Sequence, residues 1–364
     1  MTDEEINLLR EAMEGEEYPL RKLMQISDEL TANERKKKEK DMVAIYDEEA
    51  LKERLRGMDE GTLHYETLQP LTLTPAKKPY AQVTKDILGD LDELEVKFPN
   101  FSELIQEIKL LLRLEFASEQ RAIRLPHFLL CGPPGVGKTR LLNELTKVLQ
   151  LGDLRLVDMA TASASFILAG GSTSWKNGKQ GVVTRHLQES DVANPMILLD
   201  EIDKPLSNDH NPIGALFNLL ENFTSTNFID EALDFPMNCS QIIYFATANS
   251  LDSVDDAIKS RFEIVHIESP TQQQMAAITD SVYQEMRAES SWGCRFSEHL
   301  ADEVVVKLQA CSPRAVRRLL KKACANALDR VVEQGISDDV ITLAAEDIVH
   351  TENNNSRTGN IGFY

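Results

Sequence analysis

The sequence predicts an α/β fold: a parallel sheet flanked by helices, followed by a small all-helical domain and preceded by a charged helical extension. Three observations predict it. Five short β-type runs, HFLLC (127–131), LRLVDM (154–159), PMILLD (195–200), QIIYFATAN (241–249) and FEIVHI (262–267), alternate with helical stretches, the pattern of strands joined by crossover helices. A glycine-rich turn follows the first of these runs directly. After Pro270 the strand-type runs stop and only helical patterns follow.

Taken in order, residues 1–75 form a charged N-terminal region and linker. TANERKKKEKDMVAIYDEEALKERLRGMDEG (31–61) mixes both signs of charge at short spacing, which supports exposed helices through pairs three and four residues apart, either as a solvated face or as a partner-docking element. GTLHYETLQPLTLTPAKKP (61–79) contains three prolines and reads as an extended linker. Residues 76–269 are the α/β domain. Within it Leu104, Ile105, Ile108, Leu111, Leu112 and Phe116 recur at helical spacing after Ser102, a candidate cap. Residues 270–350 form the helical domain, where Ser312 and Pro313 mark a helix start. Residues 351–364 are polar and read as a flexible tail.

Composition narrows the function. Apolar residues make up 42% and charged residues 27%, the balance of a soluble globular protein. No apolar run approaches the length of a membrane span, and the acidic start lacks a signal peptide's features, so no membrane partner and a cytoplasmic location are expected. The five cysteines (Cys131, Cys239, Cys294, Cys311, Cys324) include no CxxC pair, which argues against a zinc site or a disulfide framework. Lys and Arg number 39 against 59 Asp and Glu, a net charge of −20. Such a polyanion is a poor sequence-independent ligand for DNA.

The chemistry begins at CGPPGVGKTR (131–140), which matches the phosphate-binding pattern G-x-x-x-x-G-K-[ST] through Gly132, Pro133, Pro134, Gly135, Val136, Gly137, Lys138 and Thr139. Small residues let backbone N–H groups turn toward phosphates, and the following helix presents its positive end. Lys138 supplies a cation for the β- and γ-phosphates, and Thr139 a hydroxyl for Mg²⁺. ATP and Mg²⁺ are therefore the expected ligands. PMILLDEIDK (195–204) ends an apolar strand in Asp200 and Glu201, one carboxylate to hold Mg²⁺ and the other to polarise the attacking water. Asn249, at the end of a later strand, is suited to orienting that water, although an Asn there is also an ordinary turn former.

GPPGVGKT, ILLDEIDK and YFATANS in this order resemble the AAA+ ATPases, and over about residues 125–350 the wording is especially similar to the ATPase module of Lon-type proteases. The resemblance implies a homo-oligomeric ring, a hexamer by family habit, in which the helical domain is a lid over the nucleotide. Residue by residue it implies further roles. Arg261 falls where the family places an arginine finger for the neighbouring subunit's γ-phosphate. Arg314 matches the second sensor on the lid, with Arg317 one turn on as the alternative. In GGSTSWKNGKQG (170–181), Trp175 stands six positions before Gly181, matching the aromatic of a pore loop, with Lys176 and Lys179 beside it. The competing reading is a Trp packed on its own subunit or at a subunit interface. The loop's excess of Ser, Asn and Lys over the family pattern leaves the nature of its load open.

The implied activity is ATP hydrolysis coupled to remodelling or threading of a protein substrate. The resemblance stops short of a proteolytic domain, and neither Gly-x-Ser-x-Gly nor HExxH occurs. The expectation is thus a motor without its own protease, with a separate peptidase or nuclease effector docked through the N-terminal region or the C-terminal tail. The alternative expectation is a nucleotide-controlled switch or scaffold working with a DNA-directed or nuclease partner. Ile-Gly-Phe in the tail (361–363) is similar to the peptidase-docking tripeptide of related unfoldases.

Overall fold

The computed structural model describes residues 41–160, 164–174, 178–204, 213–333 and 340–349. Residues 1–40, the central part of the 170–181 loop with Trp175 and Lys176, and the tail 351–364 lie outside the described residues.

The first described segment folds where an extended linker was expected. Strand β1 (Met42–Ala44) is followed by helix α1 (Glu48–Arg56), helix α2 (Leu63–Leu68), a 3-10 turn at Gln69–Leu73 and strand β2 (Lys77–Pro79). The Asp47 carboxylate caps α1 by accepting the N–H groups of Glu49 and Ala50, and Thr62 caps α2. β1 and β2 pair antiparallel, Met42 opposite Pro79 and Ala44 opposite Lys77. The linker reading failed because Leu68 and Leu71 are fully buried, while Pro70 sits at the start of the 3-10 turn, where no N–H is needed.

Helices α3 (Lys85–Lys97) and α4 (Ser102–Phe116) follow. Thr84 caps α3, and α4 buries Leu104, Ile105, Ile108 and Leu112, the stripe expected from the spacing. Ser102 does not cap it. The helix starts at Ser102 itself, and its hydroxyl donates to Glu95 of α3 instead.

The α/β core comprises β3 (Phe128–Cys131), α5 (Lys138–Val148), β4 (Arg155–Asp158), α6 (Ala164–Ala169), α7 (Val182–Glu189), β5 (Met196–Asp200), α8 (Ile213–Leu220), α9 (Asn222–Ser225), β6 (Phe228–Asp230), β7 (Phe235–Met237), β8 (Ile243–Ala248), α10 (Asp256–Lys259) and β9 (Glu263–His266). All five strand-type runs of the sequence become strands of one parallel sheet, in the order β4-β5-β8-β3-β9. Alternation of side chains builds a core on each face. Leu129, Ile197, Leu199, Tyr244 and Ala246 face one core together with Ile45, Leu51, Leu68 and Leu71 of the N-terminal segment. Phe128, Leu130, Met196, Leu198, Ile243 and Phe245 face the other, with α3, α4 and α5. The segment before β8 forms an antiparallel hairpin of β6 and β7.

The chain then forms α11 (Gln272–Glu289), α12 (Asp302–Leu308) and α13 (Pro313–Glu333) around a third core that includes Met275, Tyr283, Val304 and Leu320. Thr271 and Gln274 make a reciprocal capping box at α11, and α13 begins at Pro313 as expected. A 3-10 turn follows at Ala345–Asp347, and Phe296 bridges Ile341 in parallel, a strand-like contact the sequence did not suggest. Among the described residues no helix is long and apolar enough to cross a membrane.

Candidate nucleotide site

In the sheet order, the chain leaves β3 and must jump past β8 and β5 to reach β4. This places a crevice at the carboxyl ends of β3, β5 and β8, the usual ligand position in open α/β sheets. A cleft of about 430 Å³ lies there, lined by the glycine-rich loop, Asp200, Glu201, Thr247, Asn249 and the helical-domain residues Ile278, Pro313 and Arg314.

The loop's geometry follows from its residue types. Gly137 adopts φ +109 at the start of α5, a conformation that a side chain would oppose. Gly132 donates its N–H to Ala248 of the neighbouring strand at 3.1 Å. Lys138 is 9% exposed. Its ammonium donates to the carbonyls of Gly132, Pro133 (3.3 Å) and Ala248 (3.2 Å) and faces the Asn249 side-chain oxygen at 3.5 Å. Burial pushes it below the usual lysine range, against the pull of Cys131 and the carboxylates of Asp203, Asp200 and Glu201. A buried cation satisfied mainly by carbonyls, at the wall of an open cleft, is the donor a polyphosphate would use.

The acids are held by a residue the sequence reading missed. The Thr247 hydroxyl donates to an Asp200 carboxylate oxygen and accepts the Glu201 N–H at 3.0 Å. Glu201 itself has φ +57, the left-handed region, which costs a non-glycine residue about 1–2 kcal/mol. Such strain persists where the surroundings over-determine it, and here the Thr247 contact is one of those determinants. Asp203 accepts the N–H groups of Asn249 (3.0 Å) and Ser250 (3.2 Å), fixing the turn that presents Asn249.

Further cleft residues also escaped the sequence reading. Lys97, Phe98 and Asn100, from the α3–α4 connection, line it with Val136, Ile278 and Pro313, giving the phosphate end an apolar neighbour suited to a planar base. Arg140 ion-pairs with Glu285 of α11 and lies 5.3 Å from the Phe98 ring centre, tying α5 to α11.

The two arginines at the start of α13 separate cleanly. Arg314 lines the cleft, its Cβ over Gly135, where an added methyl would come within 3.4 Å. Arg317 pairs instead with Glu289 and, at 4.0 Å, with Glu285. Arg261 lies outside its own chain's cleft. Its guanidinium donates to Ala257 O (2.7 Å) and Glu221 (2.9 Å) and packs 4.8 Å from the Phe217 ring centre. Lys179 is in the described neck of the 170–181 loop, its carbonyl accepting the Gly171 N–H at 2.9 Å; Trp175 and Lys176 are outside the described residues.

Comparison with known proteins agrees with this geometry. Residues 128–270 match the family described as "ATPase family associated with various cellular activities (AAA)". The chain is 33% identical to the peroxisomal Lon protease homolog 2 of Eremothecium gossypii over 171 residues, covering 44% of this chain and 17% of that protein. It is 32% identical to the Lon protease of Aster yellows witches'-broom phytoplasma over 198 residues, covering 53% of this chain and 25% of that protein. The chain thus spans a quarter or less of the length of these relatives. Among solved structures, S. cerevisiae Hsp104 in complex with casein aligns with a TM-score of 0.57 at 16% identity, over 70% of this chain and 49% of that one, a likeness of fold.

Proposed function

From the premise that this chain carries an AAA+ ATPase module resembling that of Lon proteases, we propose that it is a cytoplasmic, ATP-hydrolysing ring motor, built as a hexamer, that couples hydrolysis to remodelling or threading of a protein substrate. One observation carries the reading: the buried Lys138 ammonium, the Asp200–Glu201 pair, Asn249 and the lid's Arg314 meet in a single cleft between sheet and lid. In this reading Lys138 and the loop amides of 132–139 hold the β- and γ-phosphates. Glu201 takes the proton of the attacking water, Asn249 orients that water, and Arg314 reads the phosphates from the lid. Arg261 acts on the site of the next subunit.

The residues present suit Mg²⁺. Among the described residues no group of three or more His, Cys, Asp or Glu side chains forms a metal cage, whereas Thr139 and Asp200 both line the cleft. A hard cation held by one hydroxyl, one carboxylate, water and phosphate oxygens is the ordinary magnesium arrangement, and when bound it neutralises phosphate charge. Trp175 and Lys176 are assigned to the substrate. A protein load is supported by the relatives, which are proteases by name or hold casein, and by the net charge of −20, which disfavours nucleic acid.

The test is Glu201→Gln. It should bind ATP with unchanged affinity and assemble as the parent does, yet release no phosphate above background. Undiminished turnover in this variant would remove the basis of the proposal.

A further inference from the structure

Both ends of the 170–181 loop converge on one buried carboxylate. Asp230, the last residue of β6, is 0% exposed. One of its oxygens accepts the Gly181 N–H at 2.7 Å and the Thr184 hydroxyl at 2.6 Å, and the other accepts the N–H groups of Ala232 (2.9 Å) and Leu233 (3.3 Å). A Cβ on Gly170 would sit 2.6 Å from Asp230 Oδ1 and 2.9 Å from Gly181 N. A Cβ on Gly181 would sit 2.9 Å from Asp230 Oδ2 and 2.3 Å from Leu168 O. The glycines that bracket the loop are thus what lets its two ends close around this carboxylate. Glu231 adds a backbone bond to Ala169 at 2.8 Å, on the loop's other approach.

The hairpin that carries Asp230 is in turn held by the N-terminal segment. Arg54 pairs with Asp234 at 2.6 Å, and His64 Nε2 meets Leu233 O at 2.9 Å. Asn238 donates its N–H to Ile45 O at 2.8 Å, and the Tyr46 ring meets Phe235 edge-on. The same segment reaches the helix after the loop, since buried Lys78 donates to the carbonyls of Leu187 and Gln188 at the end of α7.

We infer that Asp230 is the positioning residue of the 170–181 loop, and that residues 45–78 buttress its hairpin, so that the N-terminal segment sets the stance of the loop. The position assigned to Asp230 stands on these contacts alone; what the loop does with a substrate rests on the proposed function. Four donors converge on a carboxylate, which has only acceptors to offer. An amide at this site must turn an NH₂ toward donors on one side, so Asp230→Asn breaks the clamp with almost no change in volume.

The experiment uses the full chain with Trp292→Phe, which leaves Trp175 as the single tryptophan. Trypsin cleavage at Lys176 and Lys179 under native conditions and acrylamide quenching of Trp175 report the loop; ATP turnover is measured with and without reduced, carboxymethylated α-lactalbumin as an unfolded probe. Asp230→Asn should raise cleavage by about tenfold or more, since charge-assisted bonds are lost and cleavage follows the open population. Quenching should rise, basal turnover should stay within about twofold, and stimulation by the probe should disappear. Should Asp230→Asn not fold, Thr184→Val removes one donor and carries the same expectations at smaller size. Arg54→Asp should loosen the loop in part, and Arg54→Asp with Asp234→Arg should restore it. Unchanged cleavage and quenching in Asp230→Asn or, failing that, in Thr184→Val overturn the inference, whatever the loop's task. A freed loop with intact stimulation upholds the clamp and overturns the substrate-gripping role given to the loop above.

Discussion

The Thr247 hydroxyl is tethered to Asp200 and, through its oxygen, to the Glu201 N–H 3.0 Å away, so a single side chain on β8 sets both acids at the end of β5. Removing the hydroxyl frees Glu201 to leave its left-handed backbone conformation (φ +57). Thr247→Val keeps the shape and loses the tether. Turnover should fall about ten- to a hundredfold, the size expected for a bond to a charged group expressed in the barrier. Nucleotide affinity, measured by calorimetry, should change little, because Lys138 and its loop are untouched. Thr247→Ser should retain most activity. Parental turnover in the valine variant would show that the acids hold their places unaided.

Lys78 offers a stability prediction. It is 3% exposed and donates to Leu187 O (2.7 Å), Gln188 O (2.9 Å) and Ser190 O. A cation at the carboxyl end of α7 also meets the negative end of the helix dipole. Burial lowers its pKa, with Asp191 pulling the other way. Lys78→Met keeps the stem packed and orphans the carbonyls, which should cost about 2–4 kcal/mol in urea unfolding. A loss confined to a few tenths would mean that water takes over these acceptors.

Acid sensitivity follows from His127. Its ring is wedged edge-on against Tyr244, centres 5.3 Å apart, and near Phe262 at 6.1 Å, with Nδ1 toward the Tyr244 N–H at 3.4 Å. Burial pushes the imidazole down to about 4, from about 6.5 in the unfolded chain. Above pH 6.5 both states are neutral and the residue is silent. As pH falls from about 6.5 to about 4 the unfolded state binds the proton first, and at most about 3 kcal/mol of stability is lost. His186, lowered mainly by burial and then by Arg155, acts in the same direction. Urea midpoints recorded from pH 7.5 to 4 should therefore decline less steeply in His127→Gln than in the parent; parallel declines would contradict this.

What could be read from the sequence was whatever is contiguous. The loop 132–139 and the Asp200–Glu201 pair are short patterns whose chemistry lies in neighbouring residues, and the strands alternate because apolar side chains must fill both faces of the sheet. Thr247 was harder, for its meaning depends on register: Leu199 pairs with Ala246, and only that pairing brings Asp200 beside Thr247. A single threonine among the apolar and aromatic residues of this strand was the available signal. Phe98 and Asn100 reach the cleft through the packing of α3 and α4 on α5, which no local pattern encodes. The same holds for Leu68 and Leu71, whose burial turned an expected linker into part of the core. Ser102 shows the converse, a good local cap whose hydroxyl goes to Glu95.

Arg261 is kept out of its own chain's cleft. It is held there by the Ala257 carbonyl, the Phe217 ring and the Glu221 pair; the last, 2.9 Å long with Glu221 half exposed, is worth under about 1 kcal/mol. If it serves the next subunit, Arg261→Ala should bind ATP normally while turnover drops by about a thousandfold, the scale of a lost arginine finger. Mixing then decides between action within and across chains. A preparation of Arg261→Ala and another of Glu201→Gln are each inactive for a different reason. Combined and allowed to exchange subunits, they form junctions where an intact Glu201 from the first faces an intact Arg261 from the second. Phosphate release should reappear in the mixture at those junctions. If Arg261 acted within its own chain, no junction would hold both groups, and the mixture would stay as silent as its parts.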